Sequence, residues 1–138
     1  MVSLKRLLLG FFNFIFMNTN NINKKPLLIN LNERKFKALS NSSNGEVGSG
    51  TIFHYRQDTD IIWATYQGGS IKFGTLSGSI KDNKLQFHYQ HQNMTGEFMT
   101  GKCQSIIKIK DDKIQLHETW QWTSGDFSKG NSILQEIM

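Results

Sequence analysis

The stretch KIQLHETWQWTSGD, from Lys113 to Asp126, alternates apolar and polar residues and then runs into a turn. A period of two is typical of a β-strand with one buried face. The even-numbered positions from Ile114 to Trp122 form the apolar face, with Glu118 as the exception. Because a buried carboxylate is costly unless it is paired, this position predicts either a polar pocket or a specific hydrogen-bond partner.

The chain from Lys35 onward repeats the same kind of short strand. It has no proline and holds eleven of the twelve glycines, and Gly, Asn and Asp bound its β-branched and aromatic runs. No stretch has a helical period. Because the connections are short, consecutive strands must pair antiparallel, which predicts an all-β fold, an eight-stranded antiparallel up-and-down β-barrel. The predicted strands are 35–40, 49–57, 60–67, 70–80, 84–92, 96–110, 113–122 and 130–137.

Residues 1–34 are predicted to form a leader, flexible in its second half, ahead of a barrel domain at 35–138. Residues 4–16, LKRLLLGFFNFIF, have the charged-then-apolar order of a secretory signal. No small-residue cleavage site follows, and the run is too short to span a bilayer as a helix. We therefore predict no membrane-spanning segment and a cytoplasmic protein. The interpretation we favour for residues 1–16 is a gene-model extension, with Met17 as the true start. The alternative is a secreted or periplasmic protein, if residues 1–16 are a genuine signal.

The formal net charge of +5 is concentrated in the leader. Five basic residues and one acidic residue fall before residue 35, so the barrel domain carries 11 basic against 10 acidic residues. A nearly neutral body without a basic stripe binds a phosphate backbone poorly. Nucleic acid is therefore not a predicted partner.

Cysteine and histidine do not form a metal-binding pattern. Cys103 is the single cysteine, which excludes an internal disulfide and a multi-cysteine metal site. Its parity, meaning its place in the alternation of inward and outward side chains along a strand, puts it in the core. His54, His88 and His117 fall on outward positions of different predicted strands. We predict no metal site and no cofactor.

Strand parity places several polar and aromatic side chains inside the predicted barrel. An eight-stranded barrel is just wide enough to fill with side chains or to hold one small ligand, and both interpretations stay open. In a filled barrel Glu118 would be tied to a neighbouring Tyr or Arg, whereas in a hollow one it would face a cavity with a few converging polar groups. The candidate ligand-binding residues are Trp120, Tyr66, Glu118, His91, Tyr89 and Tyr55.

Two strand faces are ambiguous and one strand is irregular. The alternate sets that begin at Phe53 and at Ile62 could each face the core or the solvent. In strand 70–80 the apolar parity changes between Phe73 and Leu76, which predicts a bulge or bend at Gly74.

Two functions other than ligand binding are compatible with the pattern. A buried Glu118 together with His91 could form the acid–base pair of a simple enzyme. A filled barrel could instead act through its surface as an interaction or oligomerisation module, including a homo-oligomer. Outward-facing Trp63 and Trp122, if exposed, would favour that second function.

The body of the chain resembles a family of small bacterial proteins that carry the label N-acetylglutamate synthase. The segments that carry the resemblance are NSSNGEV, TIFHYRQ, ATYQGGSIKFG, and HETWQWTSGD followed by KGNSI. That label implies acetyl transfer from acetyl-CoA to glutamate, and it defines the acetyltransferase alternative. The sequence shows no Gly-rich loop opening a helix, which acetyltransferases of the usual kind need.

A second resemblance is to the avidin and streptavidin barrels. Their seventh strand ends in a Trp shortly before a hydrophobic-Thr-Ser-Gly turn, similar to Trp120–Gly125, and their third strand carries a Thr-Tyr similar to Thr65-Tyr66. The matching residues of that family pack on biotin and hold its ureido oxygen. The resemblance therefore implies a ligand-binding barrel in which Trp120 and Tyr66 line the pocket.

The chain departs from the streptavidin pattern at two positions. Gly68 stands where that pattern has a serine, and Met99 or Thr100 stands where it has a tryptophan on the sixth strand. A biotin site also has no need of the carboxylate of Glu118. These differences point away from biotin, and they leave two possibilities open: a non-catalytic barrel that binds a different small polar ligand, or a structural pair of Glu118 inside a filled barrel.

Overall fold

A computed structural model describes residues 27–138 as a closed antiparallel β-barrel. Each strand pairs with the next along the chain, and the last pairs back onto the first, so the barrel has no free sheet edge. The predicted all-β up-and-down barrel is confirmed, and each predicted strand overlaps an observed one. The strands are β1 Arg34–Asn41, β2 Ile52–Asp58, β3 Ile61–Gly68, β4 Ile71–Lys81, β5 Lys84–Asn93, β6 Phe98–Lys110, β7 Lys113–Trp122 and β8 Lys129–Ile137.

Two-residue turns set the register of two hairpins. Asp82 and Asn83 join β4 to β5, and Asp111 and Asp112 join β6 to β7. All four have φ between 52° and 65°, the left-handed region that type I′ hairpin turns require and that Asp and Asn tolerate best after glycine. Because a turn of fixed length fixes the register, these four residues also determine which side chains face each other deeper in both hairpins.

The inward faces of β2 and β3, which the sequence left open, are those of Phe53, Tyr55, Ile62, Ala64 and Tyr66. All five residues are buried. The residues between them on each strand are exposed or half-buried, as a period of two requires. With the apolar side chains of the other strands they form one core inside the barrel.

The irregularity of β4 lies just before its predicted position. The register shifts between Ile71 and Phe73, and Phe73 turns outward with 48% of its surface exposed. The bulge predicted at Gly74 was therefore wrong, because Gly74 pairs in register with Tyr66 on one side and His91 on the other. A Cβ on Gly74 would overlap the ring of Tyr66, so this position needs a small residue for packing.

The lower end of the barrel carries the two-residue turns and residues 27–33. Ile29 and Leu31 of this segment are buried in the core. The backbone N–H of Leu31 donates to Oε1 of Gln57 at 2.9 Å, which ties the segment to the end of β2. The buried core thus begins upstream of the predicted domain start. Residues 1–26, with the signal-like stretch and most of the predicted leader, lie outside the described residues.

The upper end of the barrel carries the two-residue turn between β3 and β4 and three longer connections. The longest of them runs through residues 42–51, between β1 and β2, and we call it the capping loop. Its Val47 packs against the core, so the loop lies over the upper end of the barrel. The strands below the capping loop position the candidate site.

Candidate functional site

A small cavity lies at the upper end of the barrel, between the strands and the capping loop. Its volume is about 40 Å³. Since a water molecule needs roughly 10–15 Å³, the space holds about three waters or one small polar group. The lining combines six aromatic side chains, two carboxyl groups and one imidazole. The aromatic residues are Phe53, Tyr66, Phe87, Tyr89, Trp120 and Trp122, and the others are Glu46, Glu118 and His91.

Most of the side chains predicted to bind a ligand line this cavity. The exception is Tyr55, which is fully buried deeper in the barrel and whose hydroxyl has no hydrogen-bond partner among residues 27–138. Ligand contact stays a prediction for all six residues. Those that line the cavity are Trp120, Tyr66, Glu118, His91 and Tyr89.

Trp122 and Glu46 are among the lining residues that were missed as site residues. Trp122 is 5% exposed, so the prediction that it faces outward was wrong. Its even-numbered position on β7 has the same inward parity as Glu118, which would have placed it correctly. Trp63 is 42% exposed on the outer face of β3, as expected. Glu46 lies in the capping loop, where no strand period indicates the direction of a side chain.

Each of three lining rings lies over a glycine on the neighbouring strand. A Cβ at any of these glycines would overlap the ring that faces it. None of the three has φ in the left-handed region, so their requirement is for space and not for backbone freedom. Cross-strand pairs of this kind set the rings in fixed positions. The pairs are Tyr66 with Gly74, Tyr89 with Gly101, and Trp120 with Gly130.

Glu118 is held by one serine from each adjacent strand. The hydroxyl of Ser132 on β8 donates to Oε1 at 2.7 Å, and that of Ser105 on β6 donates to Oε2 at 3.3 Å. These serines, and not the Tyr or Arg that a filled barrel predicted, are its partners. Burial raises the pKa of Glu118 to about 7, although the two hydroxyls favour the charged form. The carboxyl therefore changes charge near neutral pH.

A chain of hydrogen bonds ties the barrel wall to the capping loop. Nε2 of His91 contacts Oε1 of Glu46 at 2.7 Å, and Nδ1 contacts the hydroxyl of Tyr66 at 2.9 Å. Because Nε2 faces a carboxylate, that nitrogen carries a proton, and in the neutral ring the hydroxyl of Tyr66 then donates to Nδ1. Oε2 of Glu46 accepts from the side-chain amide of Asn93 at 3.0 Å. The carboxylate of Glu46 is thus one anchor of the capping loop.

Both indole N–H groups of the lining hold the upper end closed. Nε1 of Trp120 donates to Oδ1 of Asn41 at 3.0 Å, and Nε1 of Trp122 donates to the backbone carbonyl of Asn44 at 3.1 Å. Asn41 in turn donates to the carbonyl of Val47 at 2.9 Å. The two tryptophans therefore serve both as cavity walls and as anchors for the loop above them.

Glu118 and His91 are not hydrogen-bonded to each other. Both residues line the cavity, but their hydrogen bonds go to other residues. Cys103 also lines the cavity, and burial raises the pKa of its thiol well above the usual range, which disfavours the reactive thiolate.

The acetyltransferase alternative gains no support from the described part of the chain. Residues 27–138 contain no helix, so they have none that could follow a Gly-rich pyrophosphate loop and none that is long and apolar enough to cross a membrane. Across the same residues, no group of three or more His, Cys, Asp or Glu side chains is placed to hold a metal ion.

The fold and the site can be compared with known proteins. No curated protein and no solved structure matches the chain. Residues 29–137 match the family model described as avidin-like protein. The match covers more than half of the chain and includes every strand, the capping loop and all the residues that line the cavity. The chain therefore belongs to the avidin-like family.

Proposed function

We propose that this barrel binds a small polar ligand in the cavity below its capping loop and does not act as an enzyme. The observation that carries the proposal is the buried carboxyl of Glu118, which faces an aromatic cavity. A barrel that only needed a packed core would gain nothing from a carboxyl at this depth, because burying it is costly. An apolar cavity with a few converging polar groups is instead the usual form of a ligand site.

The rigidity of the lining supports binding. The rings of Tyr66, Tyr89 and Trp120 pack against glycines where a Cβ would overlap them, and hydrogen bonds fix the hydroxyl of Tyr66 and the indole of Trp120. A site whose side chains are already ordered loses little conformational entropy when a ligand enters. The ordered rings therefore favour a ligand of defined shape.

The ligand we propose is not biotin. Gly68, where the streptavidin pattern has serine, has a φ of +113°, and a Cβ there would overlap the carbonyl oxygen of Gly50. A serine hydroxyl could not be placed at this position without moving the backbone. Met99, where that pattern has tryptophan, is half-buried and packs against the core. Two of the contacts that the resemblance implies for biotin are thus lacking.

A ligand retained from cells is the direct test, and two tryptophans provide a matched pair of variants. We expect native mass spectrometry of protein purified from cells to show an added mass that disappears on denaturation. Trp120→Leu should lose that mass, because it removes a cavity wall and an anchor of the capping loop. Trp63→Leu, on the outer face of β3, should keep it. No added mass on the wild-type protein, or equal loss in both variants, would contradict the proposal.

A second candidate function is self-association through the outer surface near the upper end. Phe73 on β4 and Phe98 on β6 are 48% and 56% exposed and lie on either side of Gln92 of β5. Met94, in the adjoining turn, is 61% exposed. Neighbouring exposed apolar side chains of this kind are typical of contact surfaces, and a second copy of the chain is the occupant we propose.

Light scattering tests this candidate. We expect a molar mass above that of one chain at micromolar concentration, and a shift to the single-chain mass in the double variant Phe98→Ser with Phe73→Ser. Ile109→Ser removes a similarly exposed apolar side chain at the lower end of β6 and should not change the mass. A wild-type protein of single-chain mass at all concentrations would rule this function out.

A further inference from the structure

The cavity lining is acidic. It contains the carboxyl groups of Glu46 and Glu118, and within residues 27–138 no lysine or arginine contributes to it. Glu46 belongs to the capping loop above, and Glu118 belongs to β7 deeper in the barrel. Acidic groups therefore bound the space from two sides, which favours positive charge in a ligand and disfavours negative charge.

Most of the strong side-chain donors of the lining are already engaged, and within residues 27–138 the hydroxyl of Tyr89 is the one that has no hydrogen-bond partner. The indole N–H groups of Trp120 and Trp122 donate to the capping loop and to Asn41, and the hydroxyl of Ser132 donates to Glu118. What remains on the polar wall is acceptor capacity, since each carboxylate oxygen of Glu118 accepts one hydrogen bond and has lone pairs for more. A ligand that contacts the carboxylate of Glu118 must therefore bring the donors itself.

The aromatic rings around this wall are set at angles to one another. The planes of Trp120 and Trp122 meet at 61° with their centroids 5.5 Å apart, and those of Tyr89 and Trp122 meet at 64° with centroids 5.9 Å apart. Rings arranged as the sides of a corner, rather than as a stack, suit a cation that contacts several rings at once. The attraction is strongest where water is excluded.

We propose that the ligand carries a primary ammonium group, which Glu118 and the rings of Trp120 and Trp122 hold. This rests on the proposed function and names its ligand class. An ammonium group has three donors and no acceptor, which complements the free acceptors of the wall. The cavity of about 40 Å³ admits the ammonium group with a short alkyl stem.

An alkylammonium ion of this size binds weakly, so the experiment must detect millimolar dissociation constants. The limit on affinity per atom sets a dissociation constant of about 1 mM at best for so small a molecule. Amide and indole N–H signals, followed by NMR at pH 8 and constant ionic strength, report binding in that range. The probes are ethylammonium, ethanol and formate, which have equal numbers of non-hydrogen atoms and differ in charge.

We expect ethylammonium alone to shift the indole signals of Trp120 and Trp122 in a saturable way. Glu118→Gln should weaken its binding about tenfold or more, because it removes the charge while keeping the shape. Asp112→Asn removes one carboxylate from an exposed turn at the lower end and should leave binding unchanged. Equal or tighter binding of ethanol or formate at these indoles would overturn the ammonium assignment while the cavity remained a ligand site.

Two further results would also overturn the assignment. One is no saturable shift with any of the three probes, in which case retention of a ligand from cells still judges the proposed function separately. The other is a shift of equal size with potassium chloride, which would mean that the site takes any monovalent cation. Neither result depends on the stability of a variant, because both are read on the wild-type protein.

The pH dependence of binding gives an independent readout. Ethylammonium should bind more tightly as the pH rises through about 7, where Glu118 loses its proton. The other titratable groups that face Glu118 are Tyr55, Tyr66, Tyr89 and Cys103, and burial raises the pKa of each, so they stay neutral in this range. His91 and Glu46 also line the cavity. The Glu118→Gln variant separates them from Glu118, because it should lose the part of the pH dependence that Glu118 causes and keep any part that they cause.

Discussion

Replacing Glu118 by glutamine should make the protein more stable at pH 8 and leave its stability nearly unchanged at pH 4.5. Burial raises the folded-state pKa of Glu118 from 4.5 to about 7, so the folded state binds the proton more tightly than the unfolded state does. Stability is then lost as the pH rises from about 4.5 to 7, by about 3 kcal/mol in total. A glutamine does not ionise, and its amide can still bond the hydroxyls of Ser105 and Ser132.

Urea unfolding of both proteins between pH 4.5 and 8 measures this effect. The free energy of unfolding of Glu118→Gln should exceed that of the wild type by about 1–3 kcal/mol at pH 8, after allowing for a less favourable hydrogen bond. The charge control Asp112→Asn should follow the wild-type curve at every pH. A difference that does not change with pH would show that Glu118 keeps an ordinary pKa in the folded protein, against the assignment made here.

Replacing Gly130 by alanine should destabilise the barrel by about 1–3 kcal/mol and open the capping loop. A Cβ at Gly130 would overlap the far edge of the Trp120 indole, which the hydrogen bond to Asn41 holds in place. The ring must tilt away, and that movement breaks the bond which anchors the loop. Ligand binding should fall along with stability, because Trp120 is a wall of the cavity.

Two further variants distinguish the steric overlap with Trp120 from a general loss of stability when glycine is replaced by alanine. Gly48→Ala in the capping loop places a Cβ where no atom lies within 4 Å, and Gly48 has no positive φ, so it should be neutral or slightly stabilising. Trp120→Leu with Gly130→Ala should cost less than the sum of the two single changes, because the smaller side chain removes the overlap. If the two single changes in the free energy of unfolding, measured in urea, add up to that of the double variant, the overlap with Trp120 is not the cause of the destabilisation.

Much of this site could be predicted from the sequence, because the length of a turn determines the register of the two strands that it joins. The predicted turn Asp111–Asp112 sets Lys110 opposite Lys113, and the same register continued along the hairpin sets Ser105 opposite Glu118. Parity alone had identified Glu118 as the inward carboxyl, but not its partner. Combining parity with register would also have placed Trp122 inside, opposite Gly101.

The side of the cavity that the capping loop forms could not be predicted from the sequence in the same way. Glu46 and Asn44 lie in the capping loop, which has neither a strand period nor a turn of fixed length. Their positions follow from hydrogen bonds to His91 and Trp122, which are far away in the chain. Side chains whose direction depends on distant partners leave no local pattern, so this half of the site required the structure.

The closure of the barrel between β1 and β8 has a consequence for the order of folding. Every other strand pair joins neighbours in the chain, whereas Lys35 lies opposite Ile137, nearly the whole domain away. Contacts between such distant segments form late, because the entropy of closing the connecting chain opposes them. The hydrogen bonds from Trp120 to the end of β1 and from Trp122 to the capping loop depend on that same closure. We therefore expect a refolding chain to form its hairpins first and the cavity below the capping loop last.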